Sequence, residues 1–305
     1  AIAVRGTKSL SVHDLEKAYA LGQEAYRNVF AKPGYTEWTP EGTAGITNWT
    51  NEVGVFPTRN FQQGQFEGWE SIYGETLSKK FLVRAKPCFS CPIACGRVTK
   101  IPDGPYQGEG EGPEYETIYA FGGLCLIDDI YEIAHLNDIC DRLGMDTITA
   151  GNLCGLAIEA ARRGKIDSSL DYGDAAGIAD LLHLIARREG IGDVLADGVK
   201  RAAEKIGAGA DQYAMHVGGQ EPGLHNALFL PSRGTGFVCD PTPGRHTAAP
   251  MARIDAGPGQ WAPYPELKIG EYDRYSYSGK GPLSATASQY LQVGSSAGVC
   301  IMPMM

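Results

Sequence analysis

The sequence contains no uninterrupted apolar run near the roughly 18 residues that a membrane helix requires, so no membrane helix is expected. It also lacks any lysine- or arginine-rich block. Its 27 basic residues are outnumbered by 36 acidic ones, for a net charge of −9. Binding to a phosphate backbone rests on basic patches, so no nucleic-acid partner is expected. No internal repeat and no heptad pattern occurs, which removes solenoids and coiled coils. The glycines keep no period, which removes collagen. The opening stretch AIAVRGTKSL reads as neither a secretory nor a transit segment. The expectation is a cytoplasmic, reducing setting, where clustered thiols bind metal more often than they form disulfides.

What is present describes a globular chain. It has 305 residues, 43% of them hydrophobic and 21% charged, enough for a substantial core and for two domains. Glycine is abundant, 40 residues, and marks tight loops or close backbone approaches to a ligand. Of eight cysteines, three fall between positions 88 and 95. The chain opens on an apolar stretch and closes on Met302-Pro303-Met304-Met305, and it is expected to be part of a longer polypeptide.

Periodicity predicts a helix from about 15 to 30 behind a cap at Ser11–Asp14, loops and short helices over 31–70, and helix again over 71–86. From 116 to 207 the pattern is strongly helical. Helices are expected near 127–143, 146–164, 176–189 and 191–206, with glycine at each C-terminal end. Residues 216–286 are rich in Gly, Pro, His and Arg, as in loops that build a site. The fold class expected is mainly α, two helical domains with long loops, spanning 1–217 and 218–305.

Five motifs carry chemistry. Cys88, Cys91 and Cys95 can converge on one soft metal centre, zinc or iron–sulfur. Their C-x2-C-x3-C spacing differs from the ferredoxin run and reverses the C-x3-C-x2-C order of radical-SAM enzymes. No compact fourth ligand follows, so a structural zinc site is disfavoured. Cys125, Cys140, Cys154, Cys239 and Cys300 are the candidates, the first three reading as buried inert thiols. Glu109, Glu111, Glu114 and Glu116 follow the cysteines, and one of them, buried, could serve as a general base, or all could form a solvated acidic loop. Glu132 and His135, like Asp180 and His183, are spaced i, i+3, which suits a shared metal or an ordinary surface pair. The stiff run Asp240-Pro241-Thr242-Pro243-Gly244 presents Arg245 and His246. Finally, Asp141, Gly144 and Asp146 can offer carboxylates and backbone amides to a ring-nitrogen ligand, or simply join two helices.

In this order, AIAVRGTK, CFSCPIACGR, GPEYET, DRLGMDTITAGN, DPTPGRHT and AGVC resemble the tungsten-pterin aldehyde:ferredoxin oxidoreductase family, across nearly the whole chain. The resemblance implies a [4Fe–4S] cluster on Cys88, Cys91, Cys95 and Cys300. It implies a tungsten (or molybdenum) bis-pterin contacted by Asp141, Gly144, Met145 and Asp146 on one side, and by Ser295, Gly298 and Val299 on the other. It implies Glu114 or Glu116 as the acid/base group with His246 as its partner, and an optional interfacial iron on Glu132 and His183. The partners it implies are a small aldehyde and a ferredoxin-like acceptor, with a homodimer or a further chain completing the pterin cradle. Ser295 stands where the family usually has Asp, and Asp180 departs from its second ExxH. The family's N-terminal sheet-rich domain has no counterpart in these residues. The activity implied is aldehyde oxidation to a carboxylic acid. Alternatives are an aryl-CoA reductase of the same family and a non-catalytic iron–sulfur electron-transfer module.

Overall fold

The computed structural model describes residues 3, 5–9, 11–31, 41–223, 225–227, 230–247, 255 and 273–304. Its helices are α1 (Leu15–Phe30), α2 (Thr47–Glu52), α3 (Trp69–Ile72), α4 (Gly74–Phe81), α5 (Tyr115–Thr117), α6 (Ile130–Leu143), α7 (Thr147–Arg162), α8 (Ala175–Arg187), α9 (Ile191–Leu195), α10 (Val199–Ile206), α11 (Pro231–Cys239), α12 (Lys280–Ser296) and α13 (Ile301–Met304). Three strands, β1 (Leu82–Lys86), β2 (Gly96–Ile101) and β3 (Gly108–Glu111), form one small antiparallel sheet in that order. The protein is mainly α, as expected. No helix among the described residues is long and apolar enough to cross a membrane.

The helix starts are built by short acids. Asp14, Asp129, Asp146 and Asp174 each precede a helix and accept a backbone N–H from its first turn, satisfying a donor that the helix leaves open. Helix α6 ends at Gly144, whose φ of 70° is open to glycine at little steric cost.

The core centres on α7. Every residue from Ala150 to Ala160 is buried, which small side chains make possible. The segment Ile118–Gly123, a wide π-helical turn wholly buried, lies directly against it. A Cβ on Gly151 would stand 2.5 Å from the Ala120 carbonyl oxygen, so this approach requires glycine. Buried Glu159 is satisfied by the Tyr172 hydroxyl at 2.6 Å, Gln62 at 2.7 Å and Arg163 at 2.8 Å.

Three elements differ from the sequence expectation. The helix expected over 71–86 ends at Phe81, and Leu82–Lys86 is a strand paired with β2. The five residues Leu82–Lys86 are too few to show a period of their own, and the pairing with β2 decides. The helix expected over 191–206 breaks into α9 and α10 around Gly198, whose φ of 90° no helix contains. The expected loop region contains α11, opened by Pro231 at its first position.

The sheet positions the cysteines. Lys86 pairs with Gly96, so Pro87–Cys95 is the loop joining β1 to β2. Val98 pairs with Glu111 and Ile101 with Gly108, so β3 runs back toward the same end. The Gly112 N–H then donates to the Arg97 carbonyl at 3.0 Å, and Glu114 emerges beside the cysteine loop.

Candidate functional site

The cysteine loop is shaped by two residues in the left-handed region, Ser90 at φ 54° and Ala94 at φ 52°. The Cys91 N–H donates to the Cys88 carbonyl at 3.1 Å, and Tyr26 on α1 donates to the Ser90 carbonyl at 2.5 Å. Cys88 is exposed, Cys91 and Cys95 are half-buried, and all eight cysteines are free. Burial pushes the Cys95 thiol up to about 11, with further contributions from the charges of Glu114, Cys300, Cys91 and Cys88. Cys300, more than 200 residues away in the chain, therefore lies within electrostatic reach of the loop. It follows α12 after a turn in which Gly298 takes φ 77° and the Val299 N–H returns to the Gly294 carbonyl at 2.9 Å. Cys125, Cys140 and Cys154 are buried in the core. Cys239 is exposed at the end of α11.

Arg97 sits beneath this loop, fully buried. Its Nη1 donates to the carbonyls of Ala94, at 3.1 Å, and Gly96. Burial lowers its pKa, while the charges of Glu114, Cys95 and Glu41 favour the guanidinium. Glu114 accepts the Thr43 hydroxyl and, mostly buried, has its pKa raised by that burial, opposed by Thr43 and Arg97. Glu114 thus faces the cysteine side.

Glu116 faces the other way. Its Oε1 lies 3.2 Å from Nε2 of His246, 130 positions later in the chain. Burial, then the nearby charges of Arg233 and Arg245, push the His246 imidazole down to about 3, so it is neutral at pH 7. Two side groups meet here because a glycine leaves room: a Cβ on Gly223 would stand 2.6 Å from His246 Nδ1 and 3.4 Å from Glu116 Oε2. The loop carrying Gly223 is fastened by Glu221, which accepts the Val199 N–H at 2.7 Å and the Thr149 hydroxyl at 3.2 Å. The Tyr119 hydroxyl donates to the Pro222 carbonyl at 2.9 Å.

The remaining candidates fall elsewhere. Asp141 lies at the end of α6, accepting Asn137 at 3.1 Å, with its pKa raised by burial and by Asp138 and Glu111. It lines a cleft with Glu109, Glu111 and Asp138. Gly144 and Met145 form the turn, and the Asp146 carboxylate caps α7 through the Thr149 N–H at 2.8 Å. Ser295, Gly298 and Val299 are exposed around the end of α12. Glu132 accepts the Tyr106 hydroxyl at 3.3 Å, and burial with Asp129, Asp128 and Asp174 raises its pKa. His183 lies on α8. Sequence reasoning missed Thr43, Arg97, His225 and Arg233, because their weight comes from burial, which no spacing announces.

Residues 20–305 match the family described as aldehyde ferredoxin oxidoreductase, domains 2 & 3. The chain belongs to the aldehyde ferredoxin oxidoreductase family. It is 37% identical over 256 residues to the tungsten-containing aldehyde ferredoxin oxidoreductase of Pyrococcus abyssi, covering 81% of this chain and 41% of that one. It is 40% identical over 216 residues to the enzyme of the same description from Pyrococcus furiosus, covering 68% and 35%. It is 32% identical over 237 residues to the aliphatic sulfonate oxidoreductase, WOR-like subunit, of Pyrococcus furiosus, covering 74% and 38%. The chain thus spans well under half the length of these aldehyde ferredoxin oxidoreductase relatives. Among solved structures, the active site complex BamBC of benzoyl coenzyme A reductase shares the fold, with a TM-score of 0.61, 20% identity, and coverage of 81% of this chain and 40% of that one.

Proposed function

We propose that this chain carries the cluster ligands and the acid/base pair of an enzyme that oxidises aldehydes to carboxylic acids and passes electrons to a ferredoxin-like acceptor. The observation that carries this reading is the half-buried meeting of Glu116 and His246 at 3.2 Å, one element away from a loop of three thiols with a fourth in reach.

The donor set suits an iron–sulfur cube: four free thiols, Cys88, Cys91, Cys95 and Cys300, which are the ligands such clusters take. Among the described residues no three His, Cys, Asp or Glu side chains draw close enough for a single ion. Asp141 through Asp146 joins α6 to α7 and Ser295 through Val299 closes α12; Asp141, Gly144, Asp146, Ser295, Gly298 and Val299 are exposed there and would border a pterin. When bound, a tungsten bis-pterin would supply two-electron redox chemistry and an iron–sulfur cluster on Cys88, Cys91, Cys95 and Cys300 would supply one-electron transfer.

The chain's own residues then divide the work. Glu116 takes the proton from the water that adds to the carbonyl carbon. His246, held neutral, gives its Nε2 proton toward Glu116 or the carbonyl oxygen, steadying the charge that develops there. Glu114 is held on the cysteine side by Thr43 and Arg97. The test is aldehyde-dependent dye reduction by the anaerobically purified enzyme, run beside an aryl-CoA thioester. Glu116→Gln should lower turnover by about 10²–10⁴, and Glu114→Gln far less. Turnover of the thioester alone, or full activity in Glu116→Gln, overturns the assignment.

A further inference from the structure

Two buried groups stand behind the acid/base pair with no task in the roles above. Arg233, in the first turn of α11, is 6% exposed. Its Nη1 donates to the backbone carbonyl of His246, and its guanidinium lies 5.9 Å over the Phe237 ring. Its Nε is buried and meets no acceptor among the described residues. His225 is 7% exposed, set edge-on to Trp49 at 6.1 Å and tilted against Tyr115 at 5.8 Å. Its Nδ1 is likewise buried with no partner among the described residues. The two residues share one place. His225 lies two positions after Gly223, the residue that abuts both His246 and Glu116. The charge of Arg233 reaches the His225 ring.

A buried polar nitrogen left unmet is costly, and native proteins rarely keep one without a reason. Two such nitrogens beside one reactive pair mark a position that a ligand completes. The nearby acids make hydrogen bonds of their own. Asp255 commits both oxygens to Ser232, accepting its N–H and its hydroxyl at 2.7 Å each. Glu116 turns Oε1 to His246.

We propose that Arg233, together with His225, forms a carboxyl-binding subsite that receives the carboxylate made at the Glu116–His246 pair. This rests on the aldehyde-to-acid reading and extends it to the product. A guanidinium offers planar donors that match a carboxylate. It also favours the oxygen as its charge grows, so the same contact helps the reaction forward. The fixed charges of Glu116 and Asp255 offset part of that pull. A carboxylate is therefore held loosely enough to leave.

The test is equilibrium dialysis of the anaerobic holoenzyme with radiolabelled acetate and, separately, acetamide, its neutral isostere. Acetate should bind about tenfold tighter or more, as charge-assisted hydrogen bonds do. Arg233→Met should erase that preference and leave acetamide binding alone, while Arg233→Lys keeps part of it. Circular dichroism and iron content report whether each variant is intact. If Arg233→Met does not fold, the wild-type ratio and the lysine variant decide. Equal binding of the two probes, or a preference that survives in Arg233→Met, overturns the subsite. The measurement needs no turnover. Arg233-dependent acetate binding in an enzyme that ignores aldehydes would sink the functional reading and spare the subsite, and an active enzyme without such binding would do the reverse.

Discussion

Acidification from about pH 7 to about pH 5.5 should cost this protein roughly 2.5 kcal/mol through two histidines. His246 is pushed down to about 3 by burial and by Arg233 and Arg245, and His225 is lowered well below its ordinary value by burial, then Arg233 and His246. In the unfolded chain both titrate near 6.5, so below that pH the unfolded state binds protons that the folded state refuses. Stability is therefore fully present above about 6.5 and is lost as pH falls toward the folded values. Each histidine contributes about 1.2 kcal/mol of loss over this interval, since the unfolded proton uptake is worth about 1.4 kcal/mol at pH 5.5 and about 0.2 kcal/mol at pH 7. Glu41, Glu114 and Glu132, whose pKa values are raised by burial, act in the opposite direction and are common to the wild type and to the histidine double variant below. The assay is urea unfolding at both pH values, read as the shift in midpoint at constant slope. Replacing both histidines, by His246→Asn and His225→Phe, should flatten most of the shift. An unchanged midpoint in the wild type, or the same shift in the double variant, would refute the argument that these imidazoles are held neutral by burial.

Gly223→Ala should lower aldehyde turnover about 10²-fold with little loss of helix, because its Cβ would stand 2.6 Å from His246 Nδ1 and move the imidazole off Glu116; steady-state kinetics beside circular dichroism checks this. Gly42→Ala should destabilise the protein by about 1–3 kcal/mol in urea unfolding, since Gly42 has φ +58° and its Cβ would meet Arg97 Nη2 at 2.0 Å and the Cys95 carbonyl at 2.4 Å. The same variant should bind less iron, because Arg97 seats the cysteine loop. Cys300→Ser should retain the helical fold by circular dichroism while losing most of the iron colour.

The helices were legible because their signals are local. Asp14, Asp146 and Asp174 cap where they stand, and Gly144 closes α6 wherever the rest of the chain lies. The cysteine triplet was legible for the same reason. The sheet was not, because β1 is five residues long and is decided by pairing with β2 across the loop. On α1 the helical period is as expected, while Leu15 and Leu21 are exposed and Val29 is its buried residue. Period tells which residues share a face and not what covers it. The division of labour between Glu114 and Glu116 depends on a two-residue step at the start of α5, which turns one carboxylate to Thr43 and the other to His246. Arg97, Arg233 and His225 carry no spacing signal, and only burial gives them meaning.

The most direct measurement is iron, acid-labile sulfide, tungsten and zinc per chain in the anaerobically purified protein. About four iron and four sulfide on Cys88, Cys91, Cys95 and Cys300, accompanied by tungsten, is the result expected of one cube beside one metal centre. Zinc in place of iron, or full iron retention in Cys300→Ser, would contradict it.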